Sequence, residues 1–185
     1  MLHSSEADKA PRTPLSRRTF TTGLVAAAFA FPMPALAISG TTNRLRMVAP
    51  NTNEKFDADL IVEGTWEEEA LAAFNHFARD WRADSETEID RGVIMAAIKL
   101  QGLMESSDPL HLLSAFRTPE TNRRLRGAAR NSMHLKGRAF DLRQPGRSTA
   151  DLHAAARSLK AGGVGRYNRS GFVHIDTGAI RYWNG

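Results

Sequence analysis

Residues 132–141 read SMHLKGRAFD and residues 171–178 read GFVHIDTG, and these two stretches organise the C-terminal half of the chain. Gly137 allows the backbone to turn after His134, because glycine adopts turn conformations at little steric cost. The residues that follow can then form a strand that returns Asp141 towards this histidine. The second stretch is extended and bounded by glycines, which is typical of a strand. We therefore expect both stretches to contribute to a small, mainly antiparallel sheet.

Further strands and turns are predicted on both sides of these stretches. Residues 164–167 form another short strand-like run, and residues 110–116 a further one. Near the start, two apolar runs between Leu45 and Val62 flank Pro50–Asn53, whose residues favour turns, so a β-hairpin is expected.

Helices are predicted mainly before the C-terminal strands. The first runs from a Thr65 N-cap to about Arg82, the second covers residues 90–103, and a third covers residues 148–161. Pro119 can begin a short additional helix. The buried face of the first helix is predicted to contain Ala70, Leu71, Phe74, Phe77, Ala78 and Trp81. The expected fold class is α+β, with N-terminal helices packed on a small, mainly antiparallel sheet.

The N-terminus has the features of an export signal. Arg17 and Arg18 precede an Ala-rich apolar run that is shorter than a membrane span and contains two prolines near its end. Ala35-Leu36-Ala37 matches the small-x-small pattern that signal peptidase accepts. We predict a twin-arginine signal peptide over residues 1–37 and a single domain over residues 38–185. The protein would then act in the periplasm, with no membrane span after cleavage.

Composition narrows the chemistry available to this domain. The 185 residues are 42% hydrophobic and 24% charged, as expected for a globular protein, and include no cysteine. Disulfides, thiolate metal sites and a cysteine nucleophile are therefore excluded. The predicted leader has four basic and two acidic residues, which leaves +3 of the formal charge of +5 for residues 38–185. A net charge this small does not favour nucleic acid as a partner. We separately expect the domain to be a monomer.

The two decisive stretches contain candidate metal ligands. His134, Asp141 and His174 could hold a zinc ion and leave a fourth position for water. Spacing alone does not separate this possibility from chance. In an extended strand His174 and Asp176 face the same side, so Asp176 could orient a liganding histidine or act directly as an acid or base.

The same residues carry a resemblance to a known family. Ser132-x-His134-x-x-Gly137-x-Ala139-x-Asp141 with a later His174 resembles the LAS metallopeptidases, which include D-Ala-D-Ala peptidases and the sonic hedgehog signalling domain. Within that group the chain is similar to the YcbK-like murein endopeptidases. The resemblance covers nearly the whole chain, and its further motifs are Asn75-His76-Phe77, Leu100-Gln101-Gly102-Leu103, Ser114-Ala115-Phe116-Arg117-Thr118, Ala161-Gly162-Gly163-Val164-Gly165 and Arg181-Tyr182-Trp183.

The resemblance implies a fold, a metal and site residues. It implies a hedgehog/D-Ala-D-Ala peptidase-like fold, with Zn²⁺ held by His134, Asp141 and His174. Arg117 matches an arginine that could bind a substrate carboxylate or polarise the scissile carbonyl, although a structural salt bridge is the alternative. Many relatives place the catalytic base two or three residues before the last ligand, where this chain has Gly171 and Phe172. Asp176 is therefore the candidate base.

The implied activity is zinc-dependent hydrolysis of peptide cross-links in peptidoglycan. The expected substrates are peptidoglycan stem peptides, with a bond between two diaminopimelates as the expected site of cleavage. Two alternatives remain open from the sequence. One is a D,D- or L,D-carboxypeptidase that trims stem ends, and the other is a non-catalytic wall-binding module that retains zinc.

Overall fold

A computed structural model describes residues 43–185 of the protein, so the predicted leader and its cleavage site lie outside the described residues. The strands are β1 (Asn43–Ala49), β2 (Glu54–Val62), β3 (Thr65–Trp66), β4 (Leu110–Ser114), β5 (Ala139–Arg143), β6 (Gly163–Tyr167), β7 (Phe172–Asp176) and β8 (Arg181–Asn184). The helices are α1 (Glu68–Phe77), α2 (Arg91–Met104), α3 (Pro119–Arg124) and α4 (Thr149–Ser158), with a 3-10 helix over Met133–Lys136.

All eight strands form one sheet, in the order β3-β2-β1-β4-β5-β7-β6-β8. Most neighbouring strands are antiparallel, and the exceptions are the β1–β4 and β6–β8 pairs. The predicted hairpin of β1 and β2 is present. The sheet is not the small C-terminal one that the sequence predicted, because β1 pairs with β4 and thereby joins the hairpin to the C-terminal strands. The protein is a mixed helix and strand fold built on a single sheet.

The first helix is shorter at both ends than predicted. Thr65 does not cap it, because Thr65 and the next residue pair with the end of β2 as the short strand β3. The helix ends at Phe77, since Asp80 instead pairs with Ser85 and its carboxylate accepts hydrogen bonds from Thr118. Trp81 therefore lies beyond the helix and is 39% exposed, outside the core to which it was assigned. Helix α4 also ends early, at Ser158.

The hydrophobic core lies between the helices and one face of the sheet. Phe74 of α1 lies at its centre, with ring centroids 4.9 Å from Phe56 and 5.9 Å from Phe140. Strands β5 and β7 alternate, so Phe140, Leu142, Val173 and Ile175 face the core. Asp141 and His174 consequently project from the opposite face. Among the helices of residues 43–185, none is both long and apolar enough to cross a membrane.

Candidate metal centre

Three buried side chains converge on one point at the face of the sheet opposite the core. His134 Nε2 lies 3.2 Å from Asp141 Oδ1 and 3.2 Å from His174 Nδ1, and His174 Nδ1 lies 2.9 Å from Asp141 Oδ1. All three residues are at most 8% exposed. These are the side chains that the sequence singled out as ligands, and the fold brings them together.

Local backbone structure explains how they meet. Asp141 of β5 lies directly opposite His174 of β7 in the antiparallel register. His134 sits in the 3-10 helix, which Ser132 caps by accepting a hydrogen bond from the His134 backbone N–H. Gly137 ends this helix with a φ of 63°, the left-handed region that favours glycine, and the chain then enters β5. The turn predicted at Gly137 is therefore confirmed.

The hydrogen bonds of the two imidazoles determine which nitrogens can bind a metal. His134 Nδ1 donates to the Ala115 carbonyl oxygen at 2.5 Å, which leaves a lone pair on Nε2. His174 Nε2 donates to Asp176 Oδ2 at 2.9 Å, which leaves a lone pair on Nδ1. Two nitrogen lone pairs and a carboxylate oxygen thus face one another within about 3 Å. Such an arrangement is repulsive unless a cation lies between the atoms.

The electrostatics of the cluster also favour a cation. Burial lowers the pKa of His134, which keeps its imidazole neutral and able to act as a ligand. Burial alone would lower the pKa of His174, but hydrogen bonds to Asp141 and Asp176 raise it above its usual value. Burial would likewise raise the pKa of Asp141, yet His134, His174 and Arg117 hold it well below its usual range. The carboxylates therefore require positive charge at this point, which either a proton or a metal ion can supply.

The donor set and its spacing fit zinc. Tetrahedral zinc with ligand bonds near 2.0–2.1 Å needs ligand atoms about 3.3 Å apart. The observed separations of 2.9–3.2 Å approach that value. Imidazole nitrogen and carboxylate oxygen are both common zinc ligands, and three protein ligands leave one position open. The buried group can therefore hold a metal ion with room for a reacting molecule.

Asp176 lies beneath His174 and is completely enclosed. Its Oδ2 accepts from His174 Nε2 and, at 2.6 Å, from Arg181 Nη2. Its Oδ1 accepts from Arg181 Nη1 at 3.0 Å and from the backbone N–H groups of Gly178 and Gly163 at 2.8 and 3.2 Å. Burial alone would raise the pKa of Asp176, but these donors lower it. Of the two roles that the sequence left open, this geometry favours orientation of His174.

Arg117 lies beside the carboxylate of Asp141. It follows β4, its Nη2 donates to Asp141 Oδ2, and its Nε donates to Ser114 Oγ at 2.7 Å. The guanidinium side chain is only 12% exposed, so the ion pair is poorly screened by water. Arg117 thus forms the structural ion pair that the sequence offered as the alternative, and it also borders the cleft.

A cleft of about 520 Å³ opens above the cluster. One wall is aromatic and contains Tyr167, Phe172 and Trp183. Arg82 and Arg126 lie on the rim, and neither forms an ion pair with any residue in the range 43–185. Helix α3 ends at Arg124, and Arg126 lies just beyond it at the border of the cleft.

Some residues of the site had no assigned role in the sequence analysis. Arg181, Tyr167 and Trp183 reach the cleft only because β6, β7 and β8 are neighbours in the sheet. The sequence signal for Arg181 and Trp183 was the terminal Arg181-Tyr182-Trp183 motif, which contributed to the family resemblance without indicating a function. Tyr167 was predicted only as the end of a short strand. The other histidines within the described residues do not join the cluster, and His76, for example, is exposed and pairs with Glu86.

Comparison with known proteins gives a consistent result. The family described as peptidoglycan L,D-endopeptidase MepK matches residues 37–183. The chain is 40% identical over 168 residues to the peptidoglycan L,D-endopeptidase MepK of Escherichia coli K12, covering 87% of this chain and 92% of that protein. It is 31% identical over 142 residues to the probable peptidoglycan L,D-endopeptidase MepK of Haemophilus influenzae, covering 73% and 75%. No solved structure matches at a significant level.

These matches confirm the resemblance to murein endopeptidases that the sequence motifs indicated. The matched family covers the 3-10 helix, β5 and β7, and therefore includes all three converging side chains. The chain belongs to the MepK family of peptidoglycan L,D-endopeptidases.

Proposed function

We propose that the protein is a zinc-dependent murein endopeptidase that hydrolyses peptide cross-links in peptidoglycan, with zinc bound by His134, Asp141 and His174. The observation that carries the proposal is the convergence of three lone-pair-bearing atoms at the floor of an open cleft. Zinc bound there would lower the pKa of its water towards about 7 and polarise the scissile carbonyl. Family membership supports peptidoglycan as the substrate.

The surrounding residues have distinct roles in this proposal. Asp176 accepts the His174 Nε2 proton, so the opposite nitrogen faces the metal position with its lone pair. Ala115 fixes the ring of His134 in the same way through its carbonyl oxygen. Arg117 neutralises the outer oxygen of Asp141 and borders the cleft, where it can stabilise negative charge on the substrate.

The charge of the cleft suits a stem peptide with free carboxylates. Arg82 and Arg126 on the rim have no acidic partner within residues 43–185, so their positive charge is available to a substrate. Diaminopimelate-containing peptides carry such carboxylates. We infer that the cleaved bond joins two diaminopimelates, which agrees with the L,D-endopeptidase names of the relatives.

The remaining features of the proposal concern the whole protein. We infer that residues 1–37 are a twin-arginine signal peptide, that residues 38–185 are a single monomeric peptidase domain, and that this domain acts in the periplasm. We also infer that the fold is of the hedgehog/D-Ala-D-Ala peptidase type. The support is the order of the site along the chain, with two ligands around β5 and the third on its partner strand β7.

Digestion of purified cross-linked muropeptides, with products identified by mass, tests the proposed function. The wild-type domain should split dimers into monomers, lose this activity with a chelator and regain it with zinc. Release of a single terminal amino acid would indicate a carboxypeptidase, and intact dimers with a zinc-loaded protein would indicate a non-catalytic module. Either result contradicts the proposal.

Two variants and one control separate metal binding from turnover in the same assay. His134→Ala should lose both bound zinc and activity, whereas His76→Ala removes an exposed histidine and should retain both. Arg117→Ala should retain zinc but lose on the order of a hundredfold or more in kcat, the usual effect of removing a group that stabilises transition-state charge. Full zinc occupancy in His134→Ala would show that the ligand assignment is wrong.

A further inference from the structure

The aromatic wall of the cleft places Tyr167 on the same face of the sheet as His174. In the β6–β7 register Gly165 lies opposite His174, and Tyr167 lies opposite Phe172. Alternation along β6 puts positions 165 and 167 on one face, about 7 Å apart. The Tyr167 side chain therefore projects beside the cluster of His134, Asp141 and His174, and it lines the same cleft.

Trp183 holds the Tyr167 hydroxyl close to the reacting centre. Strand β8 runs parallel to β6 and places Trp183 next to Gly165. The indole occupies the space above this glycine, where an added Cβ would lie 2.6 Å from Trp183 Nε1. The ring centroids of Trp183 and His174 are 5.3 Å apart. Because Trp183 Nε1 donates to the Tyr167 hydroxyl at 3.0 Å, this hydroxyl lies near the backbone opposite His174.

The direction of that hydrogen bond determines what the hydroxyl can do. An indole N–H is a donor only, so the Tyr167 oxygen must act as the acceptor. Its own proton is then free to be donated elsewhere, and within residues 43–185 the hydroxyl forms no other hydrogen bond. The phenol ring stacks on Phe172, with centroids 4.5 Å apart and planes 12° apart. A preoriented donor thus borders the cleft, and no group within residues 43–185 accepts its hydrogen bond.

Arg117 does not occupy the side of the cleft on which Tyr167 lies. Its Nε and Nη2 are already used for Ser114 and Asp141, on the side of the cleft formed by β4 and β5. Tyr167 lies on the other side, on β6. A substrate carbonyl above the cluster could therefore accept a hydrogen bond from the neutral Tyr167 hydroxyl on one wall of the cleft. The guanidinium of Arg117 lies on the opposite wall.

We propose that the Tyr167 hydroxyl donates a hydrogen bond to the scissile carbonyl oxygen of the peptide substrate as negative charge develops on it, and that Trp183 positions this hydroxyl. The inference rests on the proposed peptidase function. Donors aimed at a developing oxyanion stabilise the transition state more than the ground state, so they contribute to kcat rather than to substrate binding. Tyr167 is therefore a catalytic residue, and Trp183 is a positioning residue.

The two tyrosines of the chain provide a matched experiment. Tyr167→Phe removes only the hydroxyl in the cleft, and Tyr182→Phe makes the same change on a side chain that is 40% exposed and stacks with Arg157. We expect Tyr167→Phe to lower kcat by roughly tenfold to a thousandfold with KM little changed. Tyr182→Phe should keep the wild-type kcat. Trp183→Phe keeps the Tyr167 hydroxyl but loses its indole donor, so its kcat should fall by less than that of Tyr167→Phe.

Measurements other than turnover exclude a structural explanation. Zinc content, the midpoint of thermal unfolding, and binding of cross-linked muropeptide to the metal-free protein should match the wild type for Tyr167→Phe. A wild-type kcat in Tyr167→Phe, a loss confined to KM, or a loss of zinc would overturn the inference while the proposed function stands. A zinc-loaded wild-type protein that cleaves no muropeptide would overturn both.

Discussion

At the scale of single residues, the protonation of two imidazoles decides the character of the site. His134 and His174 each use one nitrogen as a donor, to the Ala115 carbonyl oxygen and to Asp176, and turn the other towards Asp141. A proton on His174 would relieve the resulting repulsion, and its raised pKa reflects this demand. A metal ion would satisfy the same demand with all three donor atoms at once, so this geometry is suited to metal binding.

The first prediction concerns Asp176. Asp176→Asn removes the negative charge that orients His174 and balances Arg181, so zinc affinity should fall by about tenfold to a hundredfold. Competition with a chromophoric chelator measures this affinity. Asp57→Asn changes a half-exposed aspartate that pairs with Arg44 on the surface, and it should have no effect.

A different outcome for Asp176→Asn would assign Asp176 a different role. Unchanged zinc affinity combined with a large loss of kcat would assign Asp176 to proton transfer, the alternative role that the sequence left open. In that case the enclosed carboxylate of Asp176 would have to give up one of its present hydrogen-bond donors during the reaction in order to accept a proton.

The three converging side chains could be predicted from the sequence, whereas their neighbours could not. The turn at Gly137 and the alternation of the strands could be read from the sequence, but only the family resemblance separated His134, Asp141 and His174 from a chance spacing. The hydrogen bond from Arg181 to Asp176 depends on a connection between β7 and β8 that leaves no periodic pattern in the sequence. The contact between Tyr167 and Trp183 similarly depends on the parallel pairing of β6 and β8.

At the scale of elements, β8 completes one wall of the cleft through a close approach to β6. The indole of Trp183 lies so near Gly165 that an added Cβ would be 2.3 Å from a ring carbon. This contact requires glycine at position 165, because the obstacle is a bulky ring rather than the end of a flexible side chain. The glycine-rich run after α4 is thus a packing surface as well as a helix end.

The second prediction follows from that contact. Gly165→Ala should displace Trp183, lower the midpoint of thermal unfolding and lower kcat through the loss of the Tyr167 contact. Gly102→Ala is the control, because Gly102 lies in α2 with nothing within 4 Å of an added Cβ. It should stabilise the helix by up to about 1 kcal/mol. If Gly165→Ala and Gly102→Ala had the same stability and activity, the protein would tolerate displacement of Trp183 and β8.

The turn after α1 supports the segment that contains Arg117. Asp80 is 1% exposed and accepts hydrogen bonds from the Thr118 backbone N–H at 2.8 Å and the Thr118 hydroxyl at 2.9 Å. The Phe116 backbone N–H donates to the Ala78 carbonyl oxygen in the same region. Arg117 is therefore held between two anchored neighbours.

The third prediction uses the ionisation of Asp80. Burial alone would raise the pKa of Asp80, but hydrogen bonds from Thr121, Thr118 and Arg82 lower it below its usual value. A depressed folded-state pKa adds stability above the unfolded-state pKa of about 4, and this stability is lost as the pH falls through the folded-state value. At pH 7 Asp80→Asn should therefore lower the free energy of unfolding by about 1–3 kcal/mol.

Urea denaturation at a series of pH values checks this prediction. The difference in the free energy of unfolding between wild type and Asp80→Asn should shrink below pH 4. A difference that stays constant down to pH 2 would show that the carboxylate charge is not what stabilises the turn. Asp84→Asn is a control in the same turn, since that aspartate is exposed and pairs with Arg79.

The elements that the sequence predicted well are those governed by local patterns. Helix α2 buries Val93, Ile94 and Leu100 as its periodicity requires, and Asp90 caps it. The end of α1 was predicted wrongly because Asp80 accepts a hydrogen bond from Thr118, which lies 38 residues further along the chain. The extent of the sheet was underestimated for the same reason, since the parallel β1–β4 contact joins distant segments.

At the scale of the whole molecule, the site depends on a single continuous sheet. The core packs on one face and the charged cluster projects from the other, so the same strands β5 and β7 serve both. The domain contains no cysteine, so its folding requires no oxidising compartment. A domain of this kind can fold completely before export, which the proposed twin-arginine route would require.

The last prediction concerns that route. Arg17→Lys combined with Arg18→Lys preserves the charge of the leader but removes both guanidinium groups, which lysine does not replace in specific recognition. The double variant should accumulate as precursor inside the cell, whereas Arg12→Lys, in the same leader but outside the pair, should be exported normally. Immunodetection of periplasmic and cytoplasmic fractions measures this, and mass determination of the exported form should place its first residue at Ile38. Normal export of the double variant would assign the apolar run to a different export route.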